Sequence, residues 1–361
     1  MERITGTEMD HSSSNTNPTA GLLTNNRRKN FWEPIFTKEK LEPFTEFNWN
    51  FDTVTGIRRQ TCSADDLKKL GSRKVIKNFT FSECDFFGKF SSPKLTFKEC
   101  TFEKCDLGRC TWLDIKFQNC SFNRTSLTQS TFDSCQFLDC KWSEIGLSGN
   151  ETHIKECLIT NPGDLIRSGY TNLDLEQLKK NKTDPSYQTM RLEQSKLKIA
   201  RVVLASLERI GDDASYYDAV KTYLNQSLIA SLSEVKLDFK HKKNLFVTSI
   251  RFAFLHIERL ILNASGSIND WGASIAKPAF FGIGIVIFFG FYYRLLGTKE
   301  NFLQGFIASF DVTTLVGYTK HASKDCNLFD QLSYIANVLL GLWWYAIFVP
   351  TVINRISRVR A

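Results

Sequence analysis

Ten cysteines are the residues of this 361-residue chain with the widest chemical reach. Thiols ligate zinc, pair as disulfides and, once ionised, act as nucleophiles. Six of them, Cys100, Cys105, Cys110, Cys120, Cys135 and Cys140, stand on one five-residue register. Neither a Cys-x-x-Cys pair nor a Cys/His cluster occurs, so no metal site is expected. Met1-Glu2-Arg3 leads into Ser, Asn and Thr without an apolar core, so no secretory signal is expected and the thiols should stay free in a reducing compartment. Their regular spacing gives them a structural part. A second candidate is the run from Asp311 to Lys320, Asp-Val-Thr-Thr-Leu-Val-Gly-Tyr-Thr-Lys, with a carboxylate at one end and an ammonium at the other. No nucleotide-binding Gly loop, paired catalytic carboxylates or nucleophile motif stands out, so no catalytic residue and no cofactor is assigned and the chain is not read as an enzyme.

The elements that position these residues follow from periodicity. Two residues after each of the six cysteines stands a bulky apolar residue: Phe102, Leu107, Trp112, Phe122, Phe137 and Trp142. With Phe97, Phe117, Leu127, Phe132 and Leu147 the series runs unbroken at a spacing of five, and Phe81 and Phe86 continue it upstream after a one-residue slip near Ser91-Ser92-Pro93. Five matches neither a helix nor an extended strand. It suits a chain that turns a corner every fifth residue and stacks coil on coil at roughly 4.8 Å. The stretch resembles the pentapeptide-repeat family, which implies a right-handed quadrilateral β-helix with four repeats per coil, three to four coils from Phe81 to Leu147, and a domain over 75–160. That family often places Ala where this chain has Cys. Some of its members imitate DNA with an acidic surface, but residues 76–150 hold nine basic and nine acidic side chains, so no nucleic-acid-related partner is expected.

Residues 1–30 are too polar to bury anything and are expected to be disordered. Past Asn150 the spacing becomes helical, and a cytosolic α-helical connector is expected over 170–270. Met190, Leu197, Val203 or Leu204, Leu207 and Ile210 share a face that ends at Gly211. A second helix beyond Asp212-Asp213 carries Tyr217, Val220, Tyr223, Leu224 and Leu228. A third has Phe246, Ile250, Phe254, Ile257 and Ile261 on one side, with Lys242, Lys243, Arg251 and Arg259 elsewhere. Such a helix lies on a membrane surface or packs against its neighbours.

Two apolar segments, about 275–296 and 332–353, are long enough to span a bilayer. Basic residues precede the first and follow the second (Arg355, Arg358, Arg360), which puts both termini in the cytosol. Between them the apolar stretch Phe302 to Phe310 is too short to cross. With Val316-Gly317-Tyr318 behind it, and Ser309 and Thr314 upstream, residues 272–361 resemble the two-span potassium channels. The resemblance implies a transmembrane pore domain with a re-entrant loop over 301–320 and a selectivity filter at Thr314, Leu315, Val316, Gly317, Tyr318 and Thr319. It also implies a homotetramer in the lipid of the plasma (inner) membrane, with a monovalent cation, K⁺ first, as permeant ion. This chain departs from the pattern at Leu315, Thr319 and Lys320, where the family has Thr, Gly and an acidic residue. Asp311 either pairs with Lys320 behind the filter or is satisfied by backbone amides. Gly341 is a candidate gating hinge or a site of close helix packing. A cytosolic protein or ligand on the repeat domain would gate or assemble the channel, its signal entering through the N-terminal domains and the first span. The other reading is a membrane-anchored interaction scaffold with a degenerate, non-conducting loop.

Overall fold

A computed structural model describes residues 45–46, 55–64, 74–91, 95–147, 152–170, 184–295, 301–316 and 327–359. The expected disordered segment 1–30 lies outside these residues.

Three-residue strands joined by two-residue corners explain the spacing of five. In the strands Thr96–Lys98, Thr101–Glu103, Thr111–Leu113, Lys116–Gln118, Ser121–Asn123 and Thr131–Asp133 the middle residue is buried and its neighbours are half-buried. Each corner contains one left-handed residue: Glu99, Lys104, Asp114, Asn119, Arg124, Ser134 and Asp139 have φ of 49° to 56°. None is glycine, and the conformation costs roughly 1–2 kcal/mol at each. Stacking offsets that cost, because the corner amides donate to the next coil, as Asn119 N–H does to the Leu138 carbonyl at 2.8 Å.

The coils stack in register. Phe97, Phe117 and Phe137 are paired partners in one parallel ladder, Phe102, Phe122 and Trp142 in a second, and Trp112 and Phe132 in a third. Bridges Asp85–Asp106, Asp106–Ser126 and Ser126–Gly146 link the remaining side. Together they form a β-solenoid of about four turns. Aromatic rings form columns inside it, with Phe102 and Phe122 stacked at 4.8 Å and 6°, and Phe117 and Phe137 at 4.9 Å and 5°. Neighbouring columns meet edge to face, as Phe102 and Phe117 do at 70°. Both arrangements suit the ring quadrupole.

At most repeats the second inward residue is small and donates to the coil before it, while Ile115 and Ile145 fill the same place with apolar bulk. Cys105 Sγ lies 3.2 Å from the Phe81 carbonyl and Cys120 Sγ 3.2 Å from that of Phe97. Thr125 Oγ1 reaches Phe102 at 3.0 Å and Ser130 Oγ reaches Leu107 at 2.7 Å. Cys, Thr and Ser therefore alternate at one position because each is a small donor. Burial pushes the Cys105 thiol well above the ordinary thiol range, and Cys84 beside it adds to the effect.

The upstream slip has two parts. Phe81 pairs with Phe102, one residue more than the regular offset. Phe86 and Phe90 both point inward, so the chain is shortened at Gly88 (φ 101°) and lengthened before Phe97. Strands continue the ladders beyond 75–160: Gly56–Arg58 pairs with Thr80–Ser82, and Ile145–Gly146 with Gly169–Tyr170.

Helices close the C-terminal end of the solenoid. α1 (Pro162–Arg167), α2 (Pro185–Ile210) and α3 (Asp213–Lys240) bring Leu165, Ile166, Ile199, Ala200, Val203, Leu207 and Ala219 into the solenoid core. Ser206 Oγ accepts from Cys157 N–H at 2.7 Å, satisfying an open strand edge. The buried face of α2 shares Val203 and Leu207 with the expected stripe. It centres on Ile199 and Ala200 rather than Leu197 and Ile210, because the solenoid end and α3 cover α2 from two sides. Gly211, at φ 79°, ends α2, and Asp212 caps α3 through Ser215 N–H. α4 (Leu245–Asn269) packs on α3, yet Phe246, Ile250, Phe254, Ile257 and Ile261 remain exposed. A 3₁₀ turn, Asp270–Gly272, leads to α5 (Ala276–Leu295). α6 (Phe302–Thr313) and α7 (Leu328–Val359) complete the chain, and α7 runs through Pro350 without ending. α5 and α7 are long and apolar enough to cross a membrane.

Candidate functional site: the three-helix module

Apolar side chains cover α5, α6 and α7 on all sides, so hydrophobicity alone does not select which faces meet. Small residues select them, letting backbones approach. A Cβ on Gly305 would lie 2.7 Å from the Gly290 carbonyl, so α5 and α6 cross at this pair. A Cβ on Gly282 would overlap the Trp344 indole, whose Nε1 donates to the Pro278 carbonyl at 2.7 Å. One on Gly341 would overlap the Thr313 carbonyl oxygen. Gly341 thus presses α7 against the last turn of α6. Ile285, Phe289, Tyr293, Ala308, Val312 and Tyr334 fill the core between the three helices.

One polar network ties this core together. Asn337 is fully buried in α7. Its Oδ1 accepts from Thr313 Oγ1 at 2.8 Å, and its Nδ2 donates to Tyr293 Oη at 3.0 Å. The same hydroxyl of Thr313 lies 2.7 Å from the Ser309 carbonyl. An amide surrounded by apolar side chains needs such partners, and here they come from α5 and α6. Ser309 is also fully buried. Sequence reasoning noted Ser309 for its spacing but missed Asn337, Thr313 and Tyr293. The available signal was Asn337 itself, the lone amide side chain between 332 and 353.

Of the site residues expected from sequence, Asp311 lies half-buried in the last turn of α6. Thr314 follows as its C-cap, with Oγ1 donating to the Phe310 carbonyl at 2.8 Å. Leu315 takes a left-handed conformation (φ 63°) and turns the chain away from the helix axis, and Val316 is 82% exposed. Gly317, Tyr318, Thr319 and Lys320 lie outside the described residues, and with them the Asp311–Lys320 pair. Among the described residues no cluster of three or more His, Cys, Asp or Glu side chains could hold a metal ion.

Outward faces of the module are apolar and uncovered in the single chain. Phe302, Leu303, Ile307 and Phe310 of α6 are exposed, as are Leu332, Ile335, Leu339 and Leu342 of α7. At the far end of α7, Arg355 Nη1 is 2.7 Å from Asp213 Oδ2 in the first turn of α3, with its guanidinium 5.9 Å from the Tyr217 ring centre. Nearby, Asn269 Nδ2 donates to Thr351 Oγ1 at 3.1 Å. The second apolar helix, α7, therefore touches α3 of the helical connector directly.

Residues 97–141 match the family model for pentapeptide repeats, with nine copies. The match lies wholly inside the solenoid, which is thereby a stack of pentapeptide repeats. No curated protein matches the chain.

Proposed function

We propose that this chain is one subunit of a tetrameric cation channel with a potassium-channel-like pore, gated or assembled through its pentapeptide-repeat domain. The solenoid is taken as a right-handed quadrilateral β-helix on the cytosolic side, with both termini there and α5 and α7 spanning the plasma (inner) membrane. The observation that carries the reading is the seating of α6. It is a short apolar helix held between two long ones by Gly290–Gly305 and Gly341–Thr313, and it delivers the chain into Thr314-Leu-Val-Gly-Tyr-Thr319. A single subunit offers two spans and one loop, which cannot enclose an axial pore. Four re-entrant loops would bring backbone carbonyls around one axis, where they replace the hydration shell of K⁺. The uncovered faces of α6 and α7 supply apolar surface for that assembly.

Recording from purified full chain in planar bilayers tests this function. A K⁺-carrying conductance and a mass of four chains in detergent are the expected results; a stable monomer or dimer removes the reading. A tetramer that never conducts is the outcome for the scaffold, which Leu315, Thr319 and Lys320 favour. Within the channel reading, Asp311 pairs with Lys320 and braces Thr319. Asp311→Asn and Lys320→Gln should each disturb selectivity, and the double change should cost less than both combined; additive effects leave the two residues independent.

A further inference from the structure

α4 has two unlike sides. Toward the protein, Arg251 reaches Glu234 of α3 at 2.9 Å, and Thr248 and Gly266 are buried. On the other side Phe246, Phe254 and Leu260 are 75%, 66% and 70% exposed, and Ile250, Ile257 and Ile261 are exposed with them. At 3.6 residues per turn these six, with Ala253 and Ala264, fill an arc of about 120°, as wide as a helix needs for a continuous apolar surface. His256, Glu258 and Arg259 all lie off that arc.

We infer that α4 lies in the membrane–water interface, with Phe246, Ile250, Phe254, Ile257, Leu260 and Ile261 turned into the acyl-chain boundary, a lipid bilayer being the partner of this surface. The inference rests on α5 and α7 being membrane spans. Three observations select lipid over another protein. The first is continuity: α4 ends at Asn269 and the chain enters α5 at Ala276, so the end of the stripe stands where the membrane begins. Lys277 and Asp270 pair at 2.9 Å across this junction, marking the polar level. The second is charge. Lys242, before the helix, has no ion-pair partner among the described residues, and its side chain is long enough to reach lipid phosphates, while Arg259 stands on the side away from the stripe. The third is the character of the stripe. Where helices of this chain cross in the three-helix module, a glycine marks the contact, at 282, 290, 305 and 341. The α4 stripe has no glycine and is built of large side chains that fit a fluid boundary better than a close helix crossing. With α3 on its opposite side, α4 would hold the solenoid at a fixed distance from the bilayer.

The test uses full-length chain reconstituted in vesicles of phosphatidylcholine and phosphatidylglycerol. The other nine cysteines are buried, so Cys326→Ser gives a background for spin labels at Phe254→Cys, Ile257→Cys, Arg259→Cys and, as control on the first span, Phe288→Cys. The expected result is more collision with oxygen than with an aqueous nickel chelate at 254, 257 and 288, and the reverse at 259. Labels at 254 and 257 that are immobile and shielded from both reagents mean that a second protein surface covers α4 and overturn the inference. Labels there that meet mainly the chelate overturn it too, while 288 still reports lipid. If 288 itself reads as aqueous, the span reading fails and this inference fails with it.

Discussion

The solenoid and the three-helix module solve the same problem, choosing one packing for many large apolar residues, in opposite ways. In the solenoid the choice is local. Every fifth residue points inward, a left-handed corner follows, and stacking one coil on the next brings Phe102 onto Phe122 and Phe117 onto Phe137. Position along the chain dictates burial, and polar residues occupy most outward places, Leu113 and Leu138 being exceptions. In the module, apolar residues occupy both inward and outward places, so position dictates little. Contact is decided by where bulk is missing, at Gly282, Gly290, Gly305 and Gly341, and by one buried amide, Asn337. A repeat specifies its core by presence; the three-helix module specifies its crossings by absence.

The largest expected effect tests the solenoid half of this contrast. Phe122→Asp places a carboxylate without a partner between Phe102 and Trp142 and should cost about 4 kcal/mol or more. Lys116→Ala, on an outward place, should stay within about 0.5 kcal/mol. Equal mildness of the two in thermal melts would mean that position does not dictate burial. On the module side, Gly341→Ala should cost about 1–3 kcal/mol, because its methyl must displace the Thr313 carbonyl. Gly284→Ala, with no atom within 4 Å, should be neutral or slightly stabilising. Denaturant unfolding in bicelles gives both values, and Asn337→Leu in the same assay should cost about 1 kcal/mol. If Gly341→Ala is neutral there but alters opening, its part is that of a hinge.

Thiol chemistry sharpens the comparison at a smaller scale. The raised Cys105 pKa means that the folded chain keeps a proton which the unfolded chain loses near pH 8.5. Its contribution to stability is therefore complete below that pH and is lost as pH rises toward the folded pKa, by up to about 1.4 kcal/mol per unit. Alkylation of Cys105, followed by mass spectrometry, should stay slow through pH 9 in the native chain and be fast in denaturant. Rapid native alkylation would show that the solenoid interior opens. The smallest effect belongs to the contact between the module and α3, the helix that links it to the solenoid. Arg355 and Asp213 are 36% and 40% exposed as side chains, so Arg355→Gln should change stability by less than about 1 kcal/mol. Exchanging the two charges should restore any loss; failure to do so would leave α7 and α3 uncoupled.

Legibility followed the same division. The five-residue register, the inward cysteines and the upstream slip could be read from residue order, because each solenoid contact repeats a local rule. The helix ends at Gly211 and Asp212 were legible for a similar reason: each is decided within one turn of chain. The face of α2 was not, since the solenoid end and α3 bury Ile199 and Ala200 at the expense of Leu197 and Ile210. Ser309 was picked out by its distance from Val316-Gly317-Tyr318 and Gly341 by its place in the middle of the second apolar segment, without the contacts that explain them.

By itself, the sequence determined a stack of pentapeptide coils, a helical connector and two helices long enough to cross a bilayer. Periodicity and composition suffice for features that depend only on neighbours in the chain. The tertiary structure alone decided that Gly341 meets Thr313, that Asn337 joins three helices, that Arg355 reaches Asp213 and that the stripe on α4 is left uncovered. Each of these depends on the absolute position of one element against another distant in sequence, and no local pattern encodes that position.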